Sequence, residues 1–207
     1  MYGKLDEFNF RQLNHKYLLV LNDTRNNLVV GNAFPHEERD NAYLVYGYID
    51  NQAGLSFEVL CMAKVDDDGH VIFRGPSKTT AFKMRYDSIQ GTVFSMDYRP
   101  EFDQFESRVA TIHEFYNSSP MTEALREDIR FDACRNNQYP DDIVVIFLKE
   151  GMKPEVIWCK LADAKGDKVY GRMMNEPYAD FGPHDGDLVE ISLVNVDNEL
   201  KAVALFQ

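Results

Sequence analysis

The period of apolar and polar positions changes several times along this chain, and each change marks an element. Tyr17–Leu21 is an apolar run followed by the turn-forming cluster Asn22-Asp23-Thr24-Arg25-Asn26-Asn27 and then by Leu28-Val29-Val30-Gly31. That pattern predicts a hairpin with a longer loop. Residues 42–49, rich in Tyr, Val and Leu, read as a strand that stops at Asp50-Asn51-Gln52-Ala53-Gly54. Leu55, Phe57, Val59 and Cys61 then alternate with Ser56 and Glu58, the period of a half-buried strand. Asp66-Asp67-Asp68-Gly69 turns the chain into Val71-Ile72-Phe73, and residues 79–85 and 92–98 read as further strands.

Near Pro100 the period lengthens. Phe102, Phe105, Val109, Ile112 and Tyr116 recur every three or four residues, which places them on one helix face. Ser119-Pro120 predicts a second helix start, because serine caps exposed N–H groups and proline fits the first turn. Its apolar positions are Met121, Leu125 and Ile129, with Glu123, Arg126, Glu127 and Asp128 on the wet side. The polar stretch 135–142 reads as a loop and as the domain boundary. Beyond it, residues 143–148 are apolar on both faces and read as a central strand. Residues 155–161 and 168–174 form the next pair across the turn 163–167, and 188–194 pairs with 200–206.

Composition narrows the functional classes. The chain has 34 acidic and 22 basic residues, a net charge of -12, so phosphate backbones are repelled and nucleic acid is not an expected partner. The same charge suits a basic protein partner steered in from a distance. Met1-Tyr2-Gly3-Lys4-Leu5-Asp6-Glu7 lacks the basic start and apolar run of a signal peptide, and the longest apolar run, 143–148, is far short of a membrane span. Three cysteines, at 61, 134 and 159, are odd in number and widely spaced, which favours reduced thiols in a cytosol.

Chemical motifs fail one by one. Taking Gly69 as the sixth position of a calcium loop puts Lys64 at the first and Gly75 at the twelfth, where carboxylates are needed. The five histidines, at 15, 36, 70, 113 and 184, show no zinc-binding spacing. His36 beside Glu37 and Glu38, and His184 beside Asp185, offer imidazole–carboxylate pairs of an ordinary surface kind. Cys134 lies close to Arg130 and Arg135, which favour a thiolate, but no histidine partner is recognisable. Asp180-Phe181-Gly182 lacks the remainder of a kinase, and Arg74-Gly75-Pro76-Ser77-Lys78 lacks the spaced glycines of a phosphate loop. No cofactor and no metal site are expected.

Two groups of residues suggest contact surfaces. Tyr43, Tyr46 and Tyr48 crowd one strand, with Tyr46 and Tyr48 on the same face, and Glu37, Glu38 and Asp40 precede it as an acidic patch. The second group lies in the last third. There Glu155 is followed by Trp158, Gly171 by Asn175 and Pro177, and Gly186-Asp187 opens the run at Leu188-Val189. In that order of features, residues 141–207 resemble the YegJ-like domain family of bacterial proteins, whose members often end in Asp-Trp where this chain has Val194-Asn195-Val196-Asp197-Asn198. The resemblance implies a small β-rich module and no particular activity. The same residues have a structural reading: glycine, proline and asparagine end strands and re-aim the chain, and Trp158 belongs to a core strand. The functional alternative is that Trp158, Asn175 and Pro177 line one rim of a groove.

The expected fold is therefore α+β: a β-rich N-terminal region (1–100), a two-helix connector (101–140) and a C-terminal small β module (141–207). The expected function is a non-catalytic, cytoplasmic protein-binding module, of immunity or stress-linked type, whose acidic face meets a basic protein. The alternatives are a small-molecule hydrolase with His36, His113 or His184 as base, and a structural subunit of a homo-oligomer.

Overall fold

In the computed structural model, which describes residues 2–77, 80–166 and 168–207, the run at 17–21 is a strand, but the segment after it does not pair back. It is a helix. The first unit, Met1–Asn117, contains β1 (Tyr2–Gly3), β2 (Tyr17–Leu21), α1 (Thr24–Ala33), β3 (Ala42–Asp50), β4 (Gly54–Val65), β5 (Val71–Phe73), β6 (Phe82–Arg85), β7 (Thr92–Met96) and α2 (Glu106–Phe115). Asn22 takes φ +58°, a conformation asparagine tolerates, and Asp23 then caps α1. The turn residues at 22–27 are thus cap and first turn of a helix. Leu28 and Val29 are exposed, so the apolar triplet that suggested a strand is not one buried face.

The strands order as β1-β7-β2-β3-β4-β5, with β6 also beside β4, and neighbouring strands run antiparallel. Both faces of this sheet are covered. Val45, Phe57 and Val59 pack with Leu13, Val30 and Phe34 on one side. Leu44, Tyr46, Tyr48 and Leu60 pack with Phe102, Phe105 and Ile112 on the other. Burial on both faces corrects the half-buried reading of β4: its polar positions Ser56 and Glu58 are as enclosed as its apolar ones.

The second unit, Ser118–Gln207, contains α3 (Pro120–Glu127), β8 (Asp142–Lys149), β9 (Glu155–Lys165), β10 (Lys168–Met173), β11 (Leu188–Val196) and β12 (Glu199–Phe206). The five strands close into a barrel in chain order. An odd number of strands in an up-and-down meander forces the closing pair to run parallel, and β12 does pair parallel with β8, Val203 opposite Ile146. Inside lie Ile143, Val145, Phe147, Ile157, Cys159, Ile191 and Ala204. Gly171 faces this core. A Cβ there would sit 2.6 Å from Ile191 Cδ1 and 3.0 Å from Cys159 Cβ, so any larger residue would force Ile191 to shift.

The chain is of mixed α+β class, as expected. The break between units falls after Asn117, whereas the loop 135–142 belongs to the second unit, with Asp141 and Asp142 buried. Arg126 is not on a wet face either: its guanidinium is buried, donating to both carboxylate oxygens of Asp141 at 2.8 and 2.7 Å and to Glu123 at 2.8 Å. Met121 and Ile129, read as core, are exposed. Lys78, Thr79 and Asp167, which the sequence readings of a phosphate loop, a strand start and a turn included, lie outside the described residues.

Asp23 shows how tightly the first unit is tied. Its buried carboxylate accepts hydrogen bonds from the Asn26 side chain (2.8 Å), the Tyr43 hydroxyl (2.8 Å) and the Gln90 N–H (3.2 Å), joining α1, β3 and the approach to β7. Burial alone would raise this carboxyl, but these hydrogen bonds and those of the Asn26 and Gln90 backbone outweigh it and hold it below the usual range. A depressed carboxyl contributes stability above its unfolded value, about 3.9, and loses it as pH falls through the folded value. Asp23→Asn should therefore lower stability by about 1–3 kcal/mol at neutral pH. In urea melts the gap to wild type should close as pH drops below about 4.

Candidate functional site

The features that carry the resemblance converge on one end of the barrel. Glu155, at the start of β9, accepts hydrogen bonds from the Tyr178 N–H at 2.7 Å and the Ala179 N–H at 2.8 Å. Asn175 ties its turn to β9: its Nδ2 donates to the Glu176 carbonyl at 3.4 Å and its Oδ1 accepts from the Trp158 N–H at 2.9 Å, while the Met174 N–H donates to the Trp158 carbonyl at 2.8 Å. Glu176 closes the loop from the other side, accepting from the Asp185 N–H at 2.8 Å and facing His184 Nδ1 at 2.7 Å. Gly186 permits the turn with φ +87°, and the Asp187 carboxylate accepts from the His184 N–H at 2.9 Å. Loop 174–187 is therefore pinned to β9 by side chains, with Phe181 plugged into the core against Phe147 and Phe206.

What this framework presents is Trp158. The tryptophan is not buried: it is 39% exposed, and its indole N–H meets no acceptor among the described residues. Strand alternation explains the correction. Ile157, Cys159 and Leu161 point inward, so Val156 and Trp158 must point out, although the unbroken apolar run around them reads as core. Val144 lies opposite Trp158, and Ile146 lies between Val156 and Val203. Leu205 pairs with Leu148. The outer faces of β12, β8 and β9 thus form an apolar strip extended by Met174, with Val156 63% and Leu205 70% exposed. Tyr178 stands fully exposed on the pinned loop, next in sequence to Pro177, which is buried and lines, with Tyr178 and His184, a small cavity of 180 Å³.

The other expected surface residues are placed differently. Tyr46 and Tyr48 are buried beneath α2, so neither is available for contact. The Tyr46 hydroxyl meets His113 Nε2 at 2.9 Å, and burial raises that phenol to about 12. Glu37 and Asp40 both accept from Arg74, at 2.8 and 2.7 Å, which leaves Glu38 as the exposed member of the acidic patch, with no bond among the described residues. Burial opposes ionisation of Asp40, yet Arg74 holds it below the usual carboxylate range.

The candidate bases are occupied by structural contacts. His36 Nδ1 lies 3.2 Å from the Phe34 carbonyl, and the hydrogen bond to Glu176 raises His184, favouring its charged form. Asp66, Asp68 and His70 cluster within 4.8 Å, but the Asp66 carboxylate is taken by the N–H groups of Asp68 and His70. All three cysteines are buried thiols, and burial pushes Cys61 and Cys159 up to about 12.

No protein-family model, curated protein or solved structure matches this chain.

The pinned loop and the exposed tryptophan make opposite demands on stability. Trp158→Ala should cost about 1 kcal/mol, as expected for a half-exposed side chain. Glu155→Ala leaves two N–H groups without their carboxylate and should cost about 1.5–3 kcal/mol. Urea melts that give the reverse order would return Trp158 to a packing role.

Proposed function

We propose that this protein is a non-catalytic protein-binding module of the cytoplasm, and that its binding surface is the apolar outer strip of the barrel with Trp158 as anchor. One observation carries the reading: the strip is apolar on the side of the strands that does not face the barrel core. A contiguous exposed apolar patch marks an interaction site in soluble proteins, and tryptophan is the residue most enriched at binding hot spots. The patch is also held still, since backbone hydrogen bonds accepted by Glu155 and Asn175 fix the loop beside it. A surface already ordered loses less entropy when it binds.

The partner we infer is basic. Asp180 and Asp185 are exposed on the pinned loop, and the whole chain carries a net charge of -12. Kinship of residues 141–207 with the YegJ-like family is part of the proposal, supported by the convergence of Glu155, Asn175 and Gly186 at one end of the barrel. The acidic patch at Glu37 and Asp40 is a weaker candidate, because Arg74 already engages both carboxylates.

The test is capture from native lysate with wild type and Trp158→Ala side by side. A basic protein should be retained by the wild type and reduced about tenfold or more by the variant. Its association should slow as salt shortens electrostatic range below about 10 Å. Equal retention by both proteins, or no partner, contradicts the proposal. Retention of the chain itself alone replaces it with the homo-oligomer.

A further inference from the structure

The first unit contains a buried charge that its own contacts do not satisfy. Glu58 lies on the face of β4 beneath α2, between Tyr46 on β3 and Lys83 on β6. It is 1% exposed, and Oε1 has no hydrogen-bond partner. The nearest cation, Arg108 Nε, is 3.5 Å away, too far for a good hydrogen bond. Lys83 turns aside to donate to the Tyr116 hydroxyl, and among the described residues Arg108 makes one hydrogen bond, from Nη2 to the Thr80 carbonyl at 2.8 Å. Burial raises the Glu58 carboxyl, while Arg108 and Lys83 oppose that rise. Leaving such a group unmatched is costly, so its retention needs a reason.

The reason lies in the space in front of it. Glu58 and Arg108 line one cavity of 440 Å³, whose other walls include Ala81, Ile112, Phe115 and the Tyr116 ring. That volume is in the range of small-molecule pockets, about 300–1,000 Å³. A second cavity of 330 Å³ shares Arg108 and Thr111 with the first and adds the polar side chains of Gln104 and Ser107. An acceptor and donors that are unused among the described residues therefore line the same chamber, whose other walls are largely apolar.

These demands select a ligand chemistry. A bare cation would satisfy Glu58 but would sit against Lys83 and Arg108. A bare carboxylate would suit Arg108 but would oppose Glu58 and leave Oε1 unmatched. A molecule with an N–H donor beside a carboxylate serves both, and little is lost by separating the loose Glu58–Arg108 pair. We propose that this chamber binds a small amphoteric molecule, an α-amino acid with an apolar side chain. Its ammonium donates to Glu58 Oε1, its carboxylate accepts from Arg108, and its side chain lies on Ile112, Phe115 and the Tyr116 ring. This site is independent of the barrel surface.

Calorimetric titration of the full chain tests the proposal with L-phenylalanine, L-leucine and L-methionine. The two half-molecules of phenylalanine, 3-phenylpropionate and phenethylamine, serve as comparisons. At least one of the amino acids should bind saturably. If it is phenylalanine, each half-molecule should bind about tenfold more weakly or worse. Glu58→Gln and Arg108→Gln should each weaken amino-acid binding about tenfold, while the exposed Glu190→Gln leaves it unchanged. Melting curves establish that each variant is folded, and Arg108→Gln carries the test if Glu58→Gln is not. The idea is overturned if no amino acid binds at up to about 1 mM, if a half-molecule binds as well as phenylalanine, or if the folded variants bind like wild type.

Discussion

Closure of the barrel is the constraint on which the second unit depends. Five strands in a meander leave the first and last parallel, and pairing of β12 with β8 removes the free edges that would otherwise invite other chains. Closure also fixes which side chains can be inside. Once Val145 and Phe147 turn inward beside their register partners Ala202 and Ala204, pleating turns Val144, Ile146 and Leu148 outward. The same rule sends Val156 and Trp158 out from β9. The apolar outer strip is thus a consequence of sequence meeting geometry: a strand apolar on both sides, in a barrel whose core takes only one of them.

The first unit meets the same kind of strand with a different solution. β3 and β4 are enclosed on both sides, by Leu13, Val30 and Phe34 on one and by Phe102, Phe105 and Ile112 on the other. Full enclosure has an electrostatic consequence. Polar groups caught in it must find partners, and the structure contains both outcomes. Asp23 finds three partners and is held ionised. Glu58 finds a distant guanidinium and an open chamber. The contrast between two buried carboxylates in one unit is what separates a structural tie from a place for a ligand.

Much of the strand pattern was legible because β3, β4, β8 and the later hairpins have long apolar runs ended by turn residues. The face of each residue was less so. Alternation cannot be read from a run such as Val156-Ile157-Trp158-Cys159, where every position is apolar, so Trp158 looked like core. Tyr46 and Tyr48 looked like surface because tyrosine is amphipathic, yet α2 covers them. The helix at 24–33 was hidden because Asp23 and Asn26, which read as turn residues, are its cap and its first turn. Arg126 and Glu58 look solvated in sequence, and only tertiary contacts reveal their burial. Of the surface residues, the order Glu155, Trp158, Asn175 was visible; that it frames an exposed indole was not.

The central claim is that the outer strip of the barrel meets a partner in the living cell. Site-specific photo-crosslinking measures this most directly, with a benzophenone amino acid placed at Val156 or Leu205 in the strip, or at Lys168 or Glu190 elsewhere on the barrel. The account predicts that both strip positions crosslink the same basic protein and that Lys168 and Glu190 do not. Crosslinks from all four positions alike, or none from Val156 and Leu205, would contradict it.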